Sequence, residues 1–278
     1  LALLALPLQA ADPLTIMATT TTGQRNPGFL ISAEPDGLVI SATPQGANSM
    51  KLLYSNIQEV NVEEPKGWSA AVAKLNAGNY AEAEAAFSKF ADDYANLIPW
   101  KDGYGSLARL YHFKSLKGLG KFNELATAMD RQLAKPLALG ELTKVDFNDL
   151  RGWALMAKGD LQALQAYLNE FQESKAAPNS LQPGFNEDLP GRFVASLSFL
   201  RGHLHDKQQR PDLALVDYNN AMTFNYGSDP AVFSMACLAA LTIAAAQSAA
   251  KPAATNPQRL ARSHAMTCAD CLAQGRAP

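Results

Sequence analysis

The sequence predicts a mainly α fold: helical hairpins stacked as an α-solenoid behind a small N-terminal all-β module. Three observations predict it. Of 278 residues 47% are hydrophobic and roughly one in six is alanine, the best helix former. β-branched runs separated by turn residues are confined to the first part of the chain, up to Val62. Beyond it, an apolar pattern of helical period recurs around a repeated glycine turn. The same composition excludes other classes. The apolar fraction is too high for a disordered chain. A formal net charge of -2 gives no electrostatic footprint for nucleic acid, and three cysteines are too few for a disulfide scaffold of this length.

The elements follow in order. Leu1 to Leu8 are apolar or proline, and small residues follow at Ala10 and Ala11, which reads as the tail of a secretory signal over residues 1–11. An exported protein, periplasmic or associated with the cell envelope, is expected from it. No cysteine stands at the cleavage point, so nothing supports a lipid anchor.

Residues 12–62 read as strands. Leu14-Thr15-Ile16-Met17 leads into Thr19 to Thr22, and Phe29-Leu30-Ile31 and Leu38-Val39-Ile40 flank Glu34-Pro35-Asp36-Gly37. Proline presets φ and glycine accepts φ > 0, so this is a hairpin signal. Lys51-Leu52-Leu53-Tyr54 and Ile57 to Val62 complete about five strands, with Ser55-Asn56 between the last two. That hairpin, strand, short turn and final strand resemble the SH3-like and Sm-like small barrels. Sm-like barrels often bind RNA, yet the basic residues of this module are Arg25 and Lys51, with no stacking aromatics to serve such a role. A packing or interaction module is expected.

Residues 63–250 change period. Ala77-Gly78-Asn79-Tyr80 interrupts a helical pattern, Gly120-Lys121-Phe122 and Gly159-Asp160-Leu161 repeat the turn, and a fourth copy has Pro211 where the aromatic stood. Behind each turn a triplet keeps one spacing, four residues and then three: Ala83/Phe87/Phe90, Leu125/Met129/Gln132, Leu164/Leu168/Phe171 and Ala214/Tyr218/Ala221. The offsets are 42, 39 and 50 residues, the last lengthened by a Pro-, Asn- and Gly-rich insert over 174–190. The pattern resembles the tetratricopeptide (TPR) repeat, in which two helices form a hairpin that buries its faces by stacking. Leu125 and Leu164 replace the family's alanine.

Residues 231–250 are long and apolar enough for a membrane span. Alanine contributes little to insertion, and Ser234, Thr242 and Gln247 interrupt the run, so a packed helix begun by Asp229-Pro230 is expected and no transmembrane span. Lys251 to Pro257 then form a linker to a capping helix over 258–273 within residues 251–278. His264, Cys268 and Cys271 share one face of that helix. They are candidates for structural thiols, for a disulfide (Cys268 with Cys271, or with Cys237), for a redox pair, or for three ligands of a zinc site short of its fourth. Leu272 stands where a haem-attachment histidine would be. No metal and no cofactor is expected.

His203 and His205, two apart, diverge on a helix and are read as surface residues. Asp92-Asp93 and Glu63-Glu64 read as solvated helix ends rather than an acid–base pair. No nucleophile elbow, zinc-helix or phosphate-loop motif occurs. The TPR resemblance implies a ligand-binding concave face. Its positions fall here on Trp68, Leu110, Lys114, Lys117, Asp149, Trp153, Phe199, His203, Asp206 and Lys207. Lys114, Lys117, Asp149, Trp153, His203, Asp206 and Lys207 are the partner-binding candidates. The Lys/Asn/Arg pattern with which chaperone-binding TPRs clamp a C-terminal carboxylate is not reproduced. The expected function is a non-enzymatic adaptor or scaffold for a protein or peptide partner, either alone or as an oligomer. Two alternatives stand beside it: a structural part of an envelope assembly docking through its β module, and a periplasmic thiol or metal protein using Cys268 and Cys271.

Overall fold

Alternation of inward and outward side chains builds the sheet. The computed structural model describes residues 13–132, 136–173, 183–225 and 229–250. In β1 (Leu14–Thr20) the residues Leu14, Ile16 and Ala18 are buried while Thr15 and Met17 are exposed. Then come β2 (Arg25–Glu34), β3 (Gly37–Ser41), β4 (Met50–Leu53) and β5 (Ile57–Val62). All pairs are antiparallel and the order is β4-β3-β2-β1-β5, so the first strand lies between the second and the last. Pro35 and Asp36 turn β2 into β3, and Glu34 pairs with Gly37; the glycine does not take positive φ as expected but lets the Leu52 carbonyl of β4 approach, where a Cβ would stand 2.4 Å from it. A single 3-10 turn, Tyr54–Asn56, carries β4 into β5. The five strands thus lie between Leu14 and Val62, with β1 running on into the threonines.

Thereafter the described chain is helical: α1 (Trp68–Asn76), α2 (Tyr80–Asp93), α3 (Tyr104–Gly118), α4 (Phe122–Gln132), α5 (Glu141–Lys158), α6 (Leu161–Asn169), α7 (Gly191–Lys207), α8 (Pro211–Asn225) and α9 (Pro230–Ala250). The molecule is therefore mainly α with a small β module. It divides into two compact units, one ending at Phe147 and one beginning at Asn148.

In the first unit the sheet does not stand apart from the helices. Its buried face, including Ile16, Leu30, Leu38 and Ile40, packs against Tyr94 and Leu97, with Phe90, Trp100 and Tyr104 at the margin. Trp68, at the start of α1, touches Phe87 and Phe90 of α2 and Tyr104 and Tyr111 of α3, at centroid distances of 4.9–5.8 Å. Phe90 and Tyr104 border both clusters and so join the sheet core to the helical one.

In the second unit α7 is buried on nearly every side, from Phe193 to His205. Small residues let its neighbours approach. A Cβ added at Gly202 would stand 2.8 Å from the Tyr218 ring of α8, and one at Gly152 of α5 would stand 2.6 Å from Leu200 of α7. Before α7, the residues on either side of 174–182 pair with one another. Glu173 N–H donates to the Gly184 carbonyl and Asn186 N–H to that of Phe171, both at 3.0 Å.

Four turns share one geometry. Gly78, Gly120, Gly159 and Gln209 all take left-handed backbone, with φ of 78°, 69°, 69° and 59°. Each stands two residues before the next helix: Tyr80, Phe122, Leu161 and Pro211. Three of them close alike, the following amide donating to the carbonyl five residues back: Asn79 to Lys74 at 2.9 Å, Lys121 to Leu116 at 3.0 Å and Arg210 to His205 at 2.9 Å. At Gly159 the following residue, Asp160, instead caps α6 by accepting from Ala163 N–H. The first two members of every triplet, Ala83/Phe87, Leu125/Met129, Leu164/Leu168 and Ala214/Tyr218, are buried.

Three of these turns hold glycine and the fourth does not. Left-handed backbone costs an ordinary L-residue about 1–2 kcal/mol, partly offset by glycine's extra freedom when unfolded. Gln209→Gly is expected to stabilise the protein by about 0.5–1 kcal/mol, read as a raised urea midpoint at unchanged slope.

Candidate functional site

The polar surface of α3 is set by a loop that precedes α5. Asp102 takes left-handed backbone, and its Oδ1 accepts hydrogen bonds from Gly140 N–H at 2.8 Å and Thr143 Oγ1 at 2.7 Å. That fixes the first turn of α5 and places Asp146 against α3. Lys114 Nζ donates to Asp146 Oδ2 at 3.0 Å and stands 5.8 Å from the centroid of the Tyr111 ring. Burial, and then the carboxylates of Asp146 and Asp102, hold the Tyr111 hydroxyl above its ordinary pKa, so it is neutral. His112 Nε2 meets Glu84 Oε1 of α2 at 3.1 Å, and Lys117 lies half-buried one turn beyond Lys114. The result is a half-exposed patch of hydroxyl, ammonium and carboxylate on neighbouring helices.

In the second unit the sequence candidates separate into core and surface. Trp153 has no exposed area: it stacks on Phe199 at 5.1 Å and 18°, and its Nε1–H donates to Asp149 Oδ1 at 3.2 Å. It is a core residue and offers nothing to a partner, which corrects its reading as a contact residue. Trp68, Leu110 and Phe199 are likewise buried. Asp206 and Lys207 are exposed at the end of α7, and His203 is half-buried beside them. Burial, then the Lys207 charge, lowers the His203 pKa, with Asp206 opposing.

His205 is not the surface residue its spacing suggested. It is buried in an ion cluster between α7 and α8, where its Nδ1 lies 2.9 Å from Asp217 Oδ2. The other oxygen, Oδ1, accepts from Arg201 Nε at 2.9 Å and Nη2 at 2.7 Å. Nη1 donates to the Pro183 carbonyl at 2.7 Å, and the guanidinium lies over the Phe185 ring at 4.3 Å. Asp217 is fully buried and Arg201 3% exposed. With both carboxylate oxygens and three guanidinium nitrogens engaged, the cluster is built to hold α7, α8 and the Pro183 segment together. A signal for it stands in the sequence: Asp217 falls three residues after Ala214, on the buried stripe of a helix where a charge needs a partner.

On the sheet, Lys51 Nζ lies 2.6 Å from Glu34 and 2.7 Å from Asp36, so one of the two basic residues there is matched by carboxylates. Among the described residues no group of three metal-ligating side chains converges. Cys237 is buried, with its Sγ 3.1 Å from Met222 Sδ. His264, Cys268 and Cys271, the signal stretch and the linker with its last helix lie outside the described residues. Neither the family models nor the curated proteins nor the solved structures compared with this chain match it.

Two outcomes follow. Asp217→Ala leaves a buried guanidinium without its carboxylate and is expected to cost about 3–5 kcal/mol in urea unfolding. For His203, the folded imidazole binds its proton below the ordinary pKa of about 6.5, so the unfolded chain protonates first. Its contribution is nil well above that pH, and stability falls as pH drops through it. His203→Gln is expected to flatten the stability profile between about pH 7 and 5 relative to wild type; parallel profiles would contradict this.

Proposed function

We propose that the chain is an exported, non-enzymatic adaptor or scaffold that binds a protein or peptide through a TPR-like array of helical hairpins, without a cofactor. The observation that carries this reading is the fourfold recurrence of one turn: a left-handed residue at 78, 120, 159 and 209, a helix two residues later and a buried pair at fixed distance beyond it. A hairpin of this kind buries only part of its apolar surface alone and stacks to hide the rest, which leaves rows of polar helix faces for recognition. Export rests on the apolar and small-residue pattern of residues 1–11.

For the partner, the Lys114–Asp146 pair beside Tyr111 offers both signs of charge and a neutral hydroxyl, and Asp206 and Lys207 again present both signs. Such surfaces suit a polar, extended peptide rather than a uniformly charged one. The strand order, with β1 between β2 and β5 and a 3-10 turn before β5, supports the SH3-like reading of the sheet. Met50 and Leu53, 49% and 40% exposed on edge strand β4, favour docking through this module as the second reading.

Affinity capture from envelope extract tests the first reading. Lys114→Glu turns an ion pair into a like-charge pair at a half-exposed site, and is expected to cut recovery of the bound protein about tenfold while leaving the fold intact. Equal recovery by wild type and Lys114→Glu, with loss on Met50→Glu/Leu53→Glu, would transfer the function to the sheet edge.

A further inference from the structure

β4 is an open edge: it pairs with β3 on one side and with no described strand on the other. Edge strands are commonly closed to further pairing by proline, a bulge, a charge or a covering segment. β4 contains no proline, and its register with β3 runs without a shift from Gly37↔Leu53 to Ile40↔Met50. Its one charged residue, Lys51, is drawn to Glu34 and Asp36 at the β2–β3 turn and so does not guard the edge.

The register also fixes which backbone groups are free. Tyr54 N–H donates to the Asp36 carbonyl at 2.9 Å. By alternation, Leu52 and Met50 also turn their amides toward β3, and Lys51 and Leu53 turn theirs outward. The side chains alternate as well. Leu52 and Tyr54 lie against the inner core, and exposed Met50 stands opposite buried Ile40 on that same face. Lys51 and exposed Leu53 lie on the outer face.

Resting on the second reading above, in which the sheet is the docking module, we propose that β4 pairs with β4 of a second copy, antiparallel about a two-fold axis at Leu52. In that register every residue of the edge has a mate. Leu52 meets the partner's Leu52, and the Met50 side chain is covered by the partner's Tyr54. The Lys51 and Leu53 amides meet the carbonyls of the partner's Leu53 and the partner's Lys51. Lys51 falls opposite the partner's Leu53, so the two ammonium groups are not set against each other and each stays with its own carboxylates. The other open edge is a poorer match: β5 has Ile57, Val60 and Val62 packed on the sheet's own core and exposes Gln58, Glu59 and Asn61. Strands this short make an interface of the weak, exchanging class, below about 1,200 Å².

Sedimentation of the full, reduced chain tests it: a monomer is expected at about 1 μM and a growing dimer up to about 300 μM. Lys51→Pro removes the outward N–H and leaves the amides that face β3 in place. It is expected to stay monomeric over that range, whereas Lys51→Ala, which keeps the N–H, is expected to dimerise like wild type. Cross-linking reads the register. The two Leu52 positions form a non-hydrogen-bonded pair with Cα atoms about 4.5 Å apart, within reach of a disulfide. In a chain carrying Cys268→Ser and Cys271→Ser, Leu52→Cys is expected to oxidise to a covalent dimer about tenfold faster than Glu59→Cys on β5. Circular dichroism checks that each variant is folded.

The proposal is overturned if wild type stays monomeric, if Lys51→Pro dimerises like wild type, or if Glu59→Cys links as fast as Leu52→Cys. Species growing beyond the dimer, the mark of head-to-tail pairing of β4 with β5, overturn it as well. The docking reading is scored separately. If capture from envelope extract depends on Met50 and Leu53 while the chain is monomeric, the edge takes a strand of another protein and this proposal alone falls.

Discussion

Four helices follow their predecessors within two or three residues through one residue in left-handed backbone, a common way to end a helix, and this constraint sets the register of α2, α4, α6 and α8. Once the turn is fixed at Gly78, Gly120, Gly159 and Gln209, the residues five and nine positions later must face inward. That is why alanine, leucine and aromatic residues succeed one another there. The composition then acquires a positional meaning. Alanine at 83 and 214 is fully buried, and glycine at 152 and 202 leaves no room for a Cβ beside Leu200 and Tyr218.

Burial of charge is handled by the same economy of neighbours. The central helix of the second unit, α7, is nearly encircled, so its arginine and histidine have no route to water and share one carboxylate on α8. Removing either charge type alone is unfavourable in such a site, whereas apolar replacement of the whole set is tolerated in general. The first unit solves the corresponding problem with aromatics. Trp68 joins three helices by ring contacts, and Phe90 and Tyr104 carry that packing on to the sheet.

The strands and the helical hairpins were legible in the sequence because their signals are local. A period of two between Leu14 and Ala18, a Pro-Asp-Gly turn and a glycine two residues before an amphipathic helix each need only a short window. What the window missed is non-local. Its place in a repeat puts Trp153 on a surface, but the ring stacks on Phe199, more than forty residues away, and is buried. His205 was judged by its angle to His203, when the deciding residue was Asp217 on the next helix. The sheet read as a separate module because nothing in residues 12–62 announces that Tyr94 and Leu97 will close its inner face.

The paired residues on either side of 174–182 also bear on how the second unit tolerates change in chain length. Gln172 and Phe185 form a bridge, and Arg201 holds the Pro183 carbonyl, so the chain leaves and returns through one fixed neck. With the ends already brought together, the entropy of closing whatever lies between grows only as the logarithm of its length, about 0.6 kcal/mol for each doubling. The guanidinium that holds the Pro183 carbonyl thus ties the approach to α7 to the same carboxylate that joins α7 to α8.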